Sequence, residues 1–478
     1  MNEITIKVIN GSEEFSVTAQ KGDVLSKVLQ KNGFSIETLC AGLGTCGKCE
    51  VIVDGEKERS CKYIIEKNVT VKLLNNKKTN IQSITGAAET EIFSGNGCLV
   101  LDIGTTTLAL ALVDTENRSV VKVFTGDNPQ KAFGADVITR IEKCRDGELE
   151  NLQSAVINAI NGLISRVSES YDIKNVTEFF VAGNTTMLHL FLGVDCTSIG
   201  IAPYTPSFLE SQKVKGSEIG LQSDFDVTTL PGVSSFVGAD IVAGMNLTDE
   251  PEENKYYLLV DLGTNAEVVL YTKNKALCTA AAAGPCFEGA NISCGMSGSD
   301  GAVNTFDIVD GEKKYTTIGN KKAIGLCGTG LIDVCAALRR NDIIDDTGFM
   351  DDDEYEIASN VSVTGQDIRQ FQLAKSAVLS AVQTLAEEEG IELEEVEKLF
   401  ISGGFSAHID VENAVYVGLL PKELKDKCQA LNNSSLLGSI KFALEKENLV
   451  KFIKNTKYVD LSSNPSFTER FMDNMYFE

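Results

Sequence analysis

With two histidines in 478 residues, a Ser-His-Asp hydrolase or a histidine-rich metal enzyme is a poor fit to this chain. His189 sits in an apolar run after Asn184-Thr185-Thr186, and His408 follows Gly403-Gly404, so each reads as a packed or edge residue. No apolar run approaches the roughly 20 residues of a membrane span, and no signal-peptide pattern precedes the first strand pattern, so a cytoplasmic protein is expected. Basic residues are scarce: Lys and Arg number 43 against 68 Asp and Glu, a net charge of −25. Residues 1–95 carry 12 basic and 12 acidic groups, so the remainder holds the whole acidic excess. Nucleic acid and anionic membranes are poor partners for such a surface, and a solvated acidic exterior accounts for it. The length predicts two or three domains, and average hydrophobic content leaves material for large cores. Thirteen cysteines in such a chain are expected as thiols or metal ligands, not disulfides.

Four of them, Cys40, Cys46, Cys49 and Cys61, form a C-x5-C-x2-C-x11-C array in a loop otherwise rich in Gly, Ala, Thr and Leu. The spacing is one residue off the plant-type C-x4-C-x2-C pattern of [2Fe–2S] ferredoxins, and the longer first gap resembles the vertebrate and bacterial-hydroxylase ferredoxin branch. Gly42, Gly44 and Gly47 let backbone N–H groups approach the cluster sulfides. Tetrahedral zinc also takes four thiolates, although zinc ribbons favour two separated C-x2-C knuckles. Cys278, Cys286 and Cys294, at eight-residue intervals, match no ligand spacing and are expected to be buried free thiols.

Around this array the pattern is that of a small β-grasp domain. Residues 3–8 alternate polar and apolar, and Phe15 to Val17 repeats the pattern after Asn10-Gly11, which predicts a hairpin. Asp23 to Lys31 predicts a helix with Asp23 as cap, and Val51 to Val53 and Val69 to Leu74 predict further strands. Residues 1–74 are thus one ferredoxin-like domain. The polar stretch 75–97 is read as a linker with a flexible-coil reach on the order of 25 Å.

Residues 98–478 contain an echo. Cys98 to Val113 reads CLVLDIGTTTLALALV and Leu258 to Tyr271 reads LLVDLGTNAEVVLY, so two duplicated lobes are implied. Gly104 and Gly263 admit a phosphate close to the backbone, while Thr105, Thr106, Thr107, Thr264 and Asn265 offer donors. Asp102 and Asp261 end their strands facing one cleft, where they would hold Mg²⁺ chiefly through its waters. A third string, KLFISGGFSAHID from Lys398, resembles the adenosine-binding motif of the acetate and sugar kinase, Hsp70 and actin superfamily, with Gly403 and Gly404 against adenosine. That resemblance implies a two-lobed RNase-H-like (actin-like) ATPase, α/β in class, behind the small α+β domain. Apolar stripes from Leu152 to Val167 and from Ile368 to Leu385 predict core helices. Asn184 and Thr185 are read either as nucleotide contacts or as a helix cap. Gly328 opens a helix whose N-terminus could face the nucleotide. Water activation would fall to Asp240 or Glu267.

Joining these two parts, the chain resembles the reductive activators of corrinoid enzymes over essentially its whole length. The resemblance is carried by CxGxGTCGKC at Cys40, DIGTTT at Asp102, FGADVITRI at Phe133, AGNTTM at Ala182, VGADIVAG at Val237 and DLGTNAE at Asp261. It continues in GPCFEGANISCGM at Gly284, GLCGTGLID at Gly325, FISGGF at Phe400, NSSLLGS at Asn433 and the C-terminal Leu461 to Phe477. It implies ATP-driven transfer of one electron from the cluster to Co(II) of a corrinoid protein, of a methyltransferase system or a corrinoid iron–sulfur protein, restoring Co(I). A low-potential electron donor and a homodimer built on the ATPase part are further implications. Larger family members insert a domain between the ferredoxin and the ATPase, whereas here the ATPase strand follows the linker directly. Two other classes fit parts of the pattern: a small-molecule kinase with a redox-sensing cluster, and an activator of a radical dehydratase, in which Cys327 resembles a bridging-cluster ligand.

Overall fold

The computed structural model describes residues 3–10, 13–32, 34, 49–73, 89–446 and 449–477. At the N-terminus, β1 (Glu3–Asn10) and β2 (Glu13–Gln20) form the expected antiparallel hairpin. After α1 (Leu25–Lys31) come β3 (Glu50–Val53), β4 (Glu56–Arg59) and β5 (Val69–Leu73), giving the sheet order β2-β1-β5-β3-β4. Strand β4, too short and charged to show a period, is an addition to the sequence reading. Leu25 and Leu29 of α1 pack on Ile6, Val8, Val51 and Val71. Asp23 does not cap α1: its carboxylate accepts the Gln20 N–H at 2.9 Å and closes the turn leaving β2.

The first lobe contains β6 (Gly97–Ile103), β7 (Thr107–Asp114), β8 (Ser119–Asp127), α2 (Val137–Lys143), α3 (Leu149–Ser170), β9 (Glu178–Gly183), α4 (Thr185–Leu192), β10 (Lys213–Lys215), β11 (Asp226–Thr229) and α5 (Ala239–Leu247). Residues 89–96, within the stretch read as linker, lie on this lobe. Glu89 bridges Val120 in parallel, its carboxylate accepts the Val123 N–H, and Phe93 packs edge-on against Tyr171. The part of the linker reading that covers 75–88 lies outside the described residues.

The second lobe begins with β12 (Tyr256–Leu262), β13 (Ala266–Tyr271) and β14 (Ala276–Ala281). Two small additions follow: a sheet of β15 (Ala302–Val309), β16 (Glu312–Thr317) and β17 (Gly325–Leu326) leading into α6 (Gly328–Arg340), and the hairpin β18 (Glu354–Ala358) and β19 (Val361–Thr364). Then come α7 (Gly365–Glu389), β20 (Val396–Ser402), β21 (Cys428–Ala430), α8 (Ser434–Glu445), β22 (Thr456–Tyr458) and α9 (Pro465–Asp473). The C-terminal segment docks on α7, where the buried Lys375 amine donates to the Asn474 and Tyr476 carbonyls and Phe477 stacks on Phe371.

The duplication is explicit in the topology. One sheet runs β10-β11-β9-β6-β7-β8 and the other β21-β20-β12-β13-β14-β22. In each, three antiparallel strands are followed by parallel strands laid on the other side of the first, β9 beside β6 and β20 beside β12. The predicted stripes on α3 and α7 are the core faces: Leu152, Val156, Ile160 and Val167 are buried in one lobe, Ile368, Phe371, Val378 and Leu385 in the other. The helices that follow β11 and β21, α5 and α8, cross at Gly438, where a Cβ would stand 1.7 Å from the Ala243 carbonyl oxygen. Only glycine permits that approach.

Candidate active site

The residues Asp102 and Asp261 occupy equivalent places. Asp102 on β6 pairs with Ala182 of β9, and Asp261 on β12 pairs with Ser402 of β20 on one side and Glu267 of β13 on the other. The N-terminus of α8 reaches Asp102 directly and Asp261 through Ser402. Asn433 Nδ2 donates to Asp102 Oδ2 at 3.0 Å and Ser435 Oγ to Asp102 Oδ1 at 2.7 Å. Ser402 Oγ donates to Asp261 Oδ2 at 2.6 Å and lies 2.5 Å from Ser434 Oγ. Asp240, in the first turn of α5, belongs to the same electrostatic cluster: Asp261 and Asp102 both act on it, and it acts on Glu267.

Burial raises every one of these carboxyls. It pushes Asp240 up to about 7, with the charges of Asp261 and Asp102 adding to the effect. Asp261 rises to about 6, again through burial, opposed by the Ser402 hydrogen bond. Asp102 is raised by burial against its bonds from Ser435 and Asn433, and Glu267 is held well above the usual carboxylate range by burial and by Asp240 and Asp261. All four retain some exposed surface, so solvent in the cleft tempers these shifts. An array of carboxyls that repel one another is an attractive seat for a divalent cation. Among the described residues no three His, Cys, Asp or Glu side chains are placed to grip one ion directly.

The first phosphate turn is held from behind. The carbonyls of Gly104, Thr105 and Thr106 accept, respectively, from Asn128 Nδ2 at 2.8 Å, from an Arg140 guanidinium N–H at 2.5 Å and from the Asn128 N–H at 2.8 Å. Since N–H and C=O point opposite ways in a trans peptide, the N–H groups of Thr105, Thr106 and Thr107 face away from Asn128 and Arg140. Arg140 is fully buried on α2, also donates to the Gly134 carbonyl, and is lowered to about 10 by burial, which leaves it a cation. In the second turn, Gly263 N–H donates to the Asn265 carbonyl. Glu288 spans the lobes, accepting from Thr264 Oγ1 at 2.8 Å and from Thr106 Oγ1 at 3.3 Å.

The other expected residues are placed as follows. Asn184 caps α4 through the Met187 N–H and also donates to Thr105 Oγ1 at 3.4 Å, which ties the cap to the first Asp-Ile-Gly-Thr turn. Thr185 donates to the Ser234 carbonyl. Gly403 passes the Leu262 carbonyl, and Gly404 faces open space. Gly328 is buried with its Cβ position 2.3 Å from the Phe287 carbonyl oxygen, so its identity serves packing of α6. His189 is buried: Nε2 accepts the Ser207 N–H, which makes Nδ1 the donor to Thr185, and the ring stacks on Phe208. His408 is exposed. Asn128, Arg140, Glu288, Ser402 and Asn433 to Ser435 were not singled out from sequence; several lie inside quoted strings, but only tertiary placement distinguishes them within those strings.

In the N-terminal domain Cys49 and Cys61 are buried with their sulfurs 3.1 Å apart, far beyond a disulfide bond. Cys40 and Cys46 lie outside the described residues. Cys278 and Cys286 are buried thiols pushed up to about 12 by burial, while Cys294 is half-buried. Cys327 is buried, its sulfur against the Val303 carbonyl and Thr329 hydroxyl.

A thiolate domain preceding two lobes with mirrored carboxylates defines an ATP-using iron–sulfur protein of the acetate and sugar kinase, Hsp70 and actin class. Comparison with known proteins is more specific. The model for the 2Fe-2S iron-sulfur cluster binding domain matches residues 8–72, that for the RACo middle region 98–250, and that for the C-terminal domain of RACo, the ASKHA domain, 255–478. The middle region therefore coincides with the first lobe. The corrinoid activation enzyme RamQ of Eubacterium limosum is 30% identical over 418 residues, 79% of this chain and 70% of that protein. The Co(II) methylated amine-specific corrinoid protein reductase of Methanosarcina barkeri is 26% identical, covering 79% of this chain and 75% of the relative. A solved reductive activator for corrinoid, iron-sulfur protein matches with a TM-score of 0.74 and 26% identity over 99% of this chain and 98% of the other. The chain belongs to the family of reductive activators of corrinoid proteins. Among the described residues no helix is long and apolar enough to cross a membrane.

Proposed function

We propose that this chain hydrolyses ATP between its two lobes and couples hydrolysis to delivery of one electron from its [2Fe–2S] domain to Co(II) of a corrinoid protein, regenerating Co(I). The observation that carries this is the mirrored placement of Asp102 and Asp261 at equivalent strand ends, in a chain that also holds Cys49 and Cys61 side by side in a cluster-binding domain. The cluster supplies one-electron chemistry near −400 mV in ferredoxins of this kind, so a lower-lying Co(II) acceptor must be reached with outside energy. Cys40, Cys46, Cys49 and Cys61 would hold it.

In the cleft, Asp102 and Asp261 would hold Mg²⁺ through its waters, and the turns at Gly104 to Thr107 and Gly263 to Asn265 would receive the phosphates. Gly403 and Gly404 would lie against adenosine. Water activation would fall to Asp240, which burial pushes up to about 7, or to Glu267, which burial and the neighbouring Asp240 and Asp261 raise. A difference in lobe arrangement between nucleotide states biases the docked complex towards cobalt reduction. The partner is a corrinoid protein, the donor a low-potential reductant, and the assembly a cytoplasmic homodimer.

The test is cobalt reduction followed by absorbance under anaerobic conditions. Co(I) should appear only with a low-potential donor, Mg²⁺ and hydrolysable ATP, and a non-hydrolysable analogue should permit docking without repeated turnover. Reduction at the same rate without nucleotide, or transfer of the γ-phosphate to a small acceptor, overturns the reading.

A further inference from the structure

The start of one helix is linked to both carboxylates assigned to Mg²⁺, directly to Asp102 and through Ser402 to Asp261, although these belong to different lobes and stand 159 residues apart. At the start of α8, Asn433 uses its two side-chain atoms for two tasks: Oδ1 accepts the Leu436 N–H as an ordinary cap, while Nδ2 donates to Asp102. Ser435 lies past the cap, yet its hydroxyl turns to the other oxygen of Asp102. Ser434, between them, meets Ser402, whose hydroxyl is on Asp261. The hydroxyl-bearing residues Ser402, Ser434 and Ser435 are all buried. Capping the helix needs only one of these side chains.

The crossing with α5 makes this arrangement permissible. A Cβ on Gly244 would lie 2.9 Å from Ser434 Oγ, and one on Gly438 would collide with the Ala243 carbonyl. Both glycines therefore bring the start of α8 up to the carboxylates. Hydrogen bonds from hydroxyl and amide to an ionised carboxylate are short and strong, and they oppose the burial that favours the neutral acid. Each carboxylate oxygen has two lone pairs, so those bonded to α8 or Ser402 can still accept a metal-bound water.

We propose that Asn433, Ser434 and Ser435, with Ser402, are positioning residues that orient Asp102 and Asp261 for Mg²⁺ from one helix end, so that a shift of α8 alters the metal seats of both lobes together. The inference rests on the assignment of Asp102 and Asp261 to the metal.

The experiment is calorimetric titration of the anaerobically purified full chain with ADP, with Mg²⁺ and with EDTA. Ser435→Ala and Ser402→Ala act on different carboxylates from different elements, so one poorly folding variant does not remove the test. Each should weaken Mg·ADP binding on the order of tenfold while metal-free ADP binds as in the wild type. Ser435→Thr, which keeps the hydroxyl, should restore the magnesium effect. Mn²⁺ paramagnetic resonance should show the same weakening of metal binding. Equal losses with and without Mg²⁺, or unchanged Mg·ADP affinity in both alanine variants, overturn the proposal. If the wild type binds ADP equally well with Mg²⁺ and with EDTA, the carboxylate assignment falls first and the inference falls with it.

Discussion

Gly183 and Gly403 stand at the same point of the two lobes, each where a parallel strand ends beside the main chain of the lobe's first strand. A Cβ on Gly183 would lie 2.8 Å from the Ile103 carbonyl oxygen, and one on Gly403 would lie 2.2 Å from that of Leu262. The strings VAGN and ISGG are thus a second echo of the duplication, after the two Asp-x-Gly-Thr turns.

This geometry separates two adjacent glycines. Gly403 has φ of 111°, a conformation that L side chains rarely adopt, whereas a Cβ on Gly404 would meet nothing within 4 Å. Gly403→Ala should cost roughly 1–3 kcal/mol from backbone strain alone, with the carbonyl clash adding to it. Gly404→Ala should melt like the wild type but bind ADP more weakly, because its methyl enters the space assigned to adenosine. Thermal melts beside ADP titrations check both.

Arg140→Met should damage nucleotide binding from a position that touches no solvent. The substitution removes donors to Thr105 and Gly134, and a buried carbonyl left unpaired costs roughly 1–3 kcal/mol. Arg140→Lys should rescue poorly, because an ammonium lacks the fork that reaches both carbonyls. The expected result is lower stability in both variants and a raised KM for ATP; equal KM values would show that the turn holds its shape without the guanidinium.

Anaerobically purified protein should contain about two iron and two labile sulfide per chain. Cys49→Ser and Cys46→Ser should lose the visible absorption, and Cys286→Ser, a buried thiol of the second lobe, should keep it. Stoichiometric zinc without sulfide would contradict the cluster.

Stability without nucleotide should fall as pH rises from about 4 to about 7. Asp240 and Asp261 have folded-state values raised to about 7 and about 6 from an ordinary aspartate value of 3.8, so the folded chain binds more protons than the unfolded one within that window. Their contribution is complete below the unfolded value and is lost as pH climbs through the folded one. Asp240→Asn removes one of these groups. It should flatten the decline and melt above the wild type at pH 7.5, measured by scanning fluorimetry in EDTA.

The duplicated lobes were legible because strand-end strings such as LVLDIGTTT and LLVDLGTNA combine an apolar run with a turn chemistry that few structures use. Strand β4 was not, since Glu56 to Arg59 shows no alternation and is recruited by pairing with β3. The linker reading took residues 89–96 for tether because they lack an apolar period; Glu89 to Glu91 are held instead by contacts to β8, Phe93 by Tyr171 and Ser94 by Asp114. At Gly328 the tight approach to the Phe287 backbone was not legible from the string GLCGTG.

Local pattern alone determined the kinds of element, the four-cysteine array and the two strand-end aspartates, because spacing and turn chemistry act over a few neighbouring residues. Tertiary structure alone decided that Asn433 and Ser435 meet Asp102, that Ser434 meets Ser402, that Arg140 reaches Thr105 and that Glu288 joins Thr106 to Thr264. Those contacts join residues from 24 to 333 positions apart, and a hydrogen bond forms only where the folded chain brings donor and acceptor within about 3 Å.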